Sequence, residues 1–239
     1  MAKIEWDKQG ERFYETGVHK AVLYVEKETD PYGLGVAWNG ITGVTESPSG
    51  AEANDLYADN IKYGTLRSAE LFGATVEAYT YPDEFSVCDG SAEIVPGVMA
   101  GQQSRGTFGL SYQTLVGNDT SKDADSYKLH LVWGATASPS EKAYSTVNDS
   151  PEAISFSWEL TTTPVSVADH PEYKAMASMT INTLKLDEKG KKALAKLEGI
   201  LYGSEEAEAR LPLPAEVIEI FTTDAESLSA RPDSPVVLG

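Results

Sequence analysis

Chemistry needs reactive side chains at workable spacing, and few candidates meet that test. His19, His130 and His170 are far apart and show no H-x-x-x-H spacing, which would put two imidazoles on one helix face. A lone His on a strand, such as His130, reads as an ordinary surface or core residue. Glu77 with Asp83 or Glu84 would supply the two carboxylates that a glycosidase sets across its cleft. With 37 acidic residues in the chain, however, some such pair is expected by chance. Asp119, Asp123 and Asp125 fall in one polar loop with a faint calcium-ligand look. That loop lacks the EF-hand order of ligands and its closing Glu. Cys88 is the single cysteine, which excludes an internal disulfide and a cysteine metal cluster. No G-x-S-x-G, P-loop or GxGxxG pattern occurs. The expectation is a protein that is not an enzyme, with no catalytic residues, no metal and no cofactor.

The composition points the same way. The 239 residues are 41% hydrophobic, with 12 Tyr, 6 Phe and 4 Trp, enough to bury a sizeable core. The 37 acids face 19 bases, a net charge of -18, which argues against a phosphate-binding surface. No run of about 20 apolar residues offers a membrane span. The start, Met-Ala-Lys-Ile-Glu-Trp-Asp-Lys, has no signal-peptide core, so maturation in a reducing cytoplasm is expected.

The elements that would position any site read mainly as strands. The organising stretch runs from Leu34 to Pro82. It opens with strand-like Leu34–Trp38 and Ile41–Thr45 and closes with the alternating Ala74–Tyr81. Between them lies a polar excursion too long for a tight turn, and loops of that length tend to be functional. It also carries Leu56, Tyr57, Ile61 and Tyr63, which suggests an arm that docks on a surface.

Further strands are expected at 20–27, 83–90, 106–114, 127–133, 153–161, 178–185 and 216–221. Pro96 marks 94–101 as an edge segment or loop. Phe108, Leu110 and Tyr112 share one strand face; so do Tyr127, Leu129, Leu131 and Trp133, and likewise Ile154, Phe156, Trp158 and Leu160. The period then lengthens: Asp187 can cap a helix whose stripe is Ala193, Leu194, Leu197, Ile200 and Leu201, with Gly203 to end it. This predicts a single helix, about 187–202, lying across a sheet. The domain reading is an N-terminal arm (1–19), one β domain (20–221) with the excursion at 42–63, and a C-terminal arm (222–239).

Four runs together carry a resemblance: Asn54–Asn60, Tyr81-Pro-Asp-Glu-Phe85 with Cys88-Asp-Gly90, Gln103–Tyr112, and Ser157–Pro164. In this order and spacing the chain resembles the major tail protein, or tail tube protein, of bacteriophages with long, non-contractile tails. The resemblance spans roughly residues 20 to 220. It implies a β-sandwich or barrel-like tail tube fold with one flanking helix, in a structural virion protein. Such a protein forms hexameric rings, made in the bacterial host cytoplasm and stacked into a tube around a tape-measure protein. Terminator and distal tail proteins would be its other partners, and DNA would pass down the bore during ejection without specific binding.

The resemblance assigns the inter-ring role to 42–63, with Glu46, Ser49, Glu52, Asn54, Asp55, Leu56, Tyr57 and Asp59 as contact residues. From Asp30 to Asp89 ten acids face Lys62 and Arg67, a balance of -8. If this region lines the bore, the wall repels phosphate. Glu77 leads the lumen candidates, followed by Asp83, Glu84 and Glu70, and Glu77, Tyr79 and Tyr81 are expected on one face. An alternative is a virion-surface β-sandwich that binds carbohydrate or a host receptor through exposed Tyr and Trp.

Overall fold

The fold turns on one long strand that changes partners halfway along. The computed structural model describes residues 4–27, 31–120, 126–147, 149, 152–167, 169–205 and 207–226. In chain order its strands are β1 (Phe13–Val25), β2 (Gly35–Ala37), β3 (Ile41–Glu46), β4 (Ser49–Gly50), β5 (Ala53–Ala58), β6 (Ile61–Arg67), β7 (Glu70–Leu71), β8 (Gly73–Ala78), β9 (Ala92–Val95), β10 (Val98–Ala100), β11 (Phe108–Asn118), β12 (Ser126–Ala137), β13 (Phe156–Thr162) and β14 (Ser178–Asn182). Short 3-10 helices cover Asp83–Val87 and Thr183–Lys185, and the α-helices are α1 (Glu188–Tyr202) and α2 (Pro214–Glu226).

The main sheet has the order β2-β1-β11-β12-β13-β8-β3, and β14 also pairs with β12. Along one edge, β12 pairs with β14 over 128–132 and then with β13 over 135–137. The switch falls at Gly134, whose φ of +61° favours glycine. A Cβ there would stand 2.2 Å from the Thr163 carbonyl oxygen, so the close approach also demands glycine. Past this corner the sheet curls over itself without closing into a barrel.

The curl encloses the first core. Leu23, Phe108, Leu110 and Val132 from one half meet Val76, Trp158 and Leu160 from the other. Phe85 fills the centre, with ring centroids 4.5 Å from Trp38 and 5.1 Å from Trp158. The outer face of β1, β11 and β12 is buried as well, under the two helices. There Tyr24, Leu129, Leu131 and Trp133 pack on Leu194, Leu197, Leu201, Val217 and Ile220. Buried aromatics with polar ends need partners. Tyr24 Oη donates to Leu201 O at 2.9 Å, and Trp133 Nε1 donates to Pro212 O at 2.9 Å.

The mainly β class and the helix at 188–202 agree with the sequence reading, down to Asp187 Oδ1 accepting from Gly190 N at 2.7 Å. Several expectations are corrected. Residues 216–221 are not a strand but part of α2, a second helix. Their β-branched content is outweighed by the spacing of Val217, Ile220 and Phe221, which lays one apolar stripe on the second core, and Pro214 suits the first turn. Residues 83–87 form a 3-10 turn, because Phe85 has to swing inward as a core plug. The expected boundary at residue 19 falls inside β1. The outer half of that strand is exposed on both faces and bulged near Gly17 and Lys20, so it shows no alternation. The strand expected at 153–161 begins only at Phe156. Of the expected C-terminal arm, 222–226 continue α2, and 227–239 lie outside the described residues.

Candidate assembly surface

The excursion after β3 is not an irregular loop but a two-stranded ribbon. From Gly43↔Glu77 in the main sheet the partners run on through Glu46↔Ala74, Ser49↔Leu71 and Ala53↔Arg67 to Leu56↔Gly64, with no change of register. Backbone bonds from Ser47 N to Gly73 O and from Ala51 N to Ala69 O bridge the gaps between the short strands. The ribbon is thus the outward continuation of the β3–β8 pair. A bulge then separates Leu56 from Tyr57, and Asp59 and Asn60 close the tip with φ of +50° and +63°. These are the left-handed values of a two-residue type I′ turn, which Asp and Asn tolerate best after Gly. From Ser47 to Ala58 the ribbon reaches about 40 Å at roughly 3.3 Å per residue.

Among the described residues nothing covers the ribbon. Every residue from Glu46 to Leu71 except Gly64 is exposed, including Leu56, Tyr57 (71% exposed), Ile61, Tyr63 (77%) and Leu66. Local polar bonds brace it: Asp55 accepts from Lys62 Nζ and from Thr65 Oγ1, both at 2.8 Å. Those two bonds hold the Asp55 carboxyl below the usual carboxylate range. An isolated two-stranded ribbon is marginal in water, and this one leaves the rings of Tyr57 and Tyr63 bare.

Of the expected contact residues, Ser49, Glu52, Asn54, Asp55, Leu56, Tyr57 and Asp59 all sit on the ribbon, exposed. Glu46 is different, because it is tied back to the body. Tyr112 Oη donates to Glu46 Oε1 at 2.7 Å, and His130 Nδ1 lies 3.4 Å from the same oxygen. The His130 ring stacks on Tyr112 with centroids 4.6 Å apart and planes 4° apart. Thr114 and Thr180 hydroxyls lie 3.0 and 3.3 Å from its two nitrogens. Burial lowers the His130 pKa, against the opposing pull of Glu46 and Glu15. Burial, with the hydrogen bond to Glu46, raises that of Tyr112. None of these partners is local to His130 in the sequence, since they come from three other strands, β3, β11 and β14.

The acidic candidates sit on three different elements. Glu77 points outward from β8, with Gly43 and Ser157 as cross-strand neighbours. Exposed Glu159 of β13 stands on the same uncovered face, opposite Thr75. Glu70 lies out on the ribbon, and Asp83 and Glu84 are exposed on the 3-10 turn. Tyr79 is exposed, but Tyr81 is not on Glu77's face. β8 ends at Ala78 and the chain turns, so the Tyr81 ring packs edge-on against Phe156 and Trp158 at 5.5 and 5.4 Å.

Among the described residues no group of three or more His, Cys, Asp or Glu is placed to hold a metal ion. Asp119 Oδ1 accepts from Gly10 N at 2.9 Å, whereas Asp123 and Asp125 lie outside the described residues. No described helix is long and apolar enough to cross a membrane. Sequence reasoning missed Asp89, which is buried at the end of the curl. It accepts from Trp158 Nε1 at 3.1 Å and pairs with Lys142 Nζ at 2.5 Å, with Arg105 Nη1 at 3.7 Å. This clasp pins the segment after β12 to the aromatic core.

No protein-family model matches the chain, and no curated protein matches it. Two cryo-EM structures of an extracellular contractile injection system are weakly similar. One is the PVC sheath/tube terminator in the extended state, at 10% identity over 75% of this chain and 99% of that chain, with a TM-score of 0.32. The other is the PVC sheath-tube complex in the extended state, at 11% identity over 75% of this chain and 95% of that chain, with a TM-score of 0.30. Likenesses of that size define neither a shared fold nor a function for this chain. What the geometry gives is a mainly β protein with a long bare ribbon and an uncovered acidic sheet face.

Proposed function

We propose that this chain is a structural subunit of a phage-tail-like tube, self-assembling into stacked rings in which the ribbon at 46–71 links one ring to the next. The observation that carries the reading is the ribbon itself: a limb of about 40 Å with exposed Leu56, Tyr57, Ile61 and Tyr63, covered by none of the described residues. Its in-register continuation of the β3–β8 ladder suits a strut between copies better than a lid over a site. The sequence resemblance to tail tube proteins supplies the finer expectations. These are hexameric rings assembled in a bacterial host, a tape-measure protein in the bore, terminator and distal tail proteins at the ends, and DNA in transit. The uncovered face bearing Glu77 and Glu159 is the surface we assign to the bore.

Negative-stain microscopy of the concentrated protein tests this, with rings or tubes as the expected result. A species that stays monomeric at every concentration overturns it. Excising 52–68 removes no buried residue. The excised protein is expected to melt within a few degrees of the parent and to form no tubes. Normal tubes from it would take the stacking role away from the ribbon.

A further inference from the structure

A second, smaller hairpin also stands apart from the main sheet. β9 and β10 pair only with each other, with Val95↔Val98 flanking the turn at Pro96 and Gly97. Pro at the first central position and Gly at φ +84° at the second suit a type II turn, so Pro96 makes a hairpin rather than a break. Ile94, Val95, Val98 and Met99 are all about half exposed or more. Contiguous bare apolar surface of this kind usually marks a contact site.

Elsewhere on the same chain lies an apolar groove of about 550 Å³ between β14 and α2. Tyr173, Met179, Ile181, Leu186, Val217 and Phe221 line it, with Lys185 at its border and no Asp or Glu in the lining. Among the described residues β14 pairs with β12 alone, so its other edge offers unpaired N–H and C=O groups beside the groove. Open edges of this sort take up a further strand.

We infer that the hairpin Ala92–Ala100 of one copy seats in the β14–α2 groove of the next, adding a strand to the free edge of β14. This rests on the tube-subunit reading, for which it supplies the contact within a ring. Three features choose this occupant. The hairpin brings what the groove and the β14 edge can take up, exposed apolar side chains and an outer strand edge with no partner among the described residues. In a chain of net charge -18 the groove lining holds no acid and the hairpin itself holds one, so the two meet with less repulsion than most other pairings would incur. The single hairpin acid, Glu93, is exposed and has exposed Lys185 as a counter-charge. The ribbon fits worse, because Glu52, Asp55, Asp59 and Glu70 would enter with it. Knob and groove are different patches of one surface, so the contact is head-to-tail, and repetition closes a ring or runs on as a filament.

Two single variants, Val98→Cys and Thr222→Cys, mixed and treated with a short bismaleimide, test the contact. Cys88 will not compete, since burial and the neighbouring Asp89 push its thiol up to about 12. A covalent dimer containing one copy of each variant is expected. Met99→Asp, at an exposed position, is expected to keep the parent melting temperature while the assembled fraction falls at least about tenfold, because an aspartate is costly to bury. If the parent assembles but the mixed dimer is absent and Met99→Asp assembles normally, this contact is wrong and the tube reading stands. Crosslinking of Val98→Cys to itself alone would mean that hairpin meets hairpin, which also overturns it. A parent that never assembles removes the reading and this contact together.

Discussion

Tyr112 and Glu46 lie 66 residues apart and meet at the mouth of the curled sheet, where the phenol donates a 2.7 Å hydrogen bond to the carboxylate. Tyr112 stands in the buried face of β11, while Glu46 is the last residue of β3 before the ribbon leaves the body. The bond therefore fixes the angle at which the ribbon departs. Tyr112→Phe keeps the ring and its stacking on His130 and removes only the hydroxyl. A loss of about 1 kcal/mol in urea unfolding is expected. Faster amide exchange at residues 46–50 and 70–74, with the core strands unaffected, would identify the root as the part released.

Acid should loosen the same cluster. His130 has its pKa lowered from 6.5 by burial, with Lys128 adding to the shift and Glu46 and Glu15 opposing it. A lowered histidine pKa means that the unfolded chain binds the proton first. The stability it supports is complete above pH 6.5 and declines as pH falls through that value towards the folded pKa. His19, lowered by burial and then by Lys20, acts in the same direction. The urea midpoint should drop between pH 8 and pH 5.5, and His130→Phe, which keeps a flat ring on Tyr112, should drop less. Equal slopes would place the acid sensitivity elsewhere.

The corner of β12 tolerates no side chain. Gly134→Ala adds a methyl 2.2 Å from the Thr163 carbonyl oxygen at a φ of +61°. Strain and clash together should cost at least about 2 kcal/mol. Thermal unfolding of the variant reads this directly. An unchanged melting point would mean that the sheet turns elsewhere.

The charge of the uncovered sheet face is open to inversion. In a tube, Glu77→Lys with Glu159→Lys should convert a wall that repels phosphate into one that holds it. Neither side chain is buried, so folding should be unaffected. Assembled double-variant particles are expected to retain DNA at low salt and release it on raising the salt, whereas the parent retains none. Screening limits the parent's repulsion to about 8 Å at physiological salt, so only a close wall matters. Equal DNA retention by both would remove Glu77 and Glu159 from the bore.

The sequence by itself determined those elements whose period is enforced by burial. Leu129, Leu131 and Trp133 alternate because one face of β12 meets the helices, and Ala193, Leu194, Leu197 and Leu201 recur because one side of α1 meets that sheet. Its acidity and the bare apolar residues of the excursion were equally plain. Only the tertiary structure decided the rest. The excursion became a ribbon because its backbone continues a ladder begun in β3 and β8, an inheritance that an exposed strand does not write into its hydrophobic pattern. Residues 216–221 became a helix because the second core offered their stripe a surface. Glu46, Tyr112 and His130, like Asp89 and Lys142, met through the curl of the sheet, and contacts of that range leave no local mark for a sequence to show.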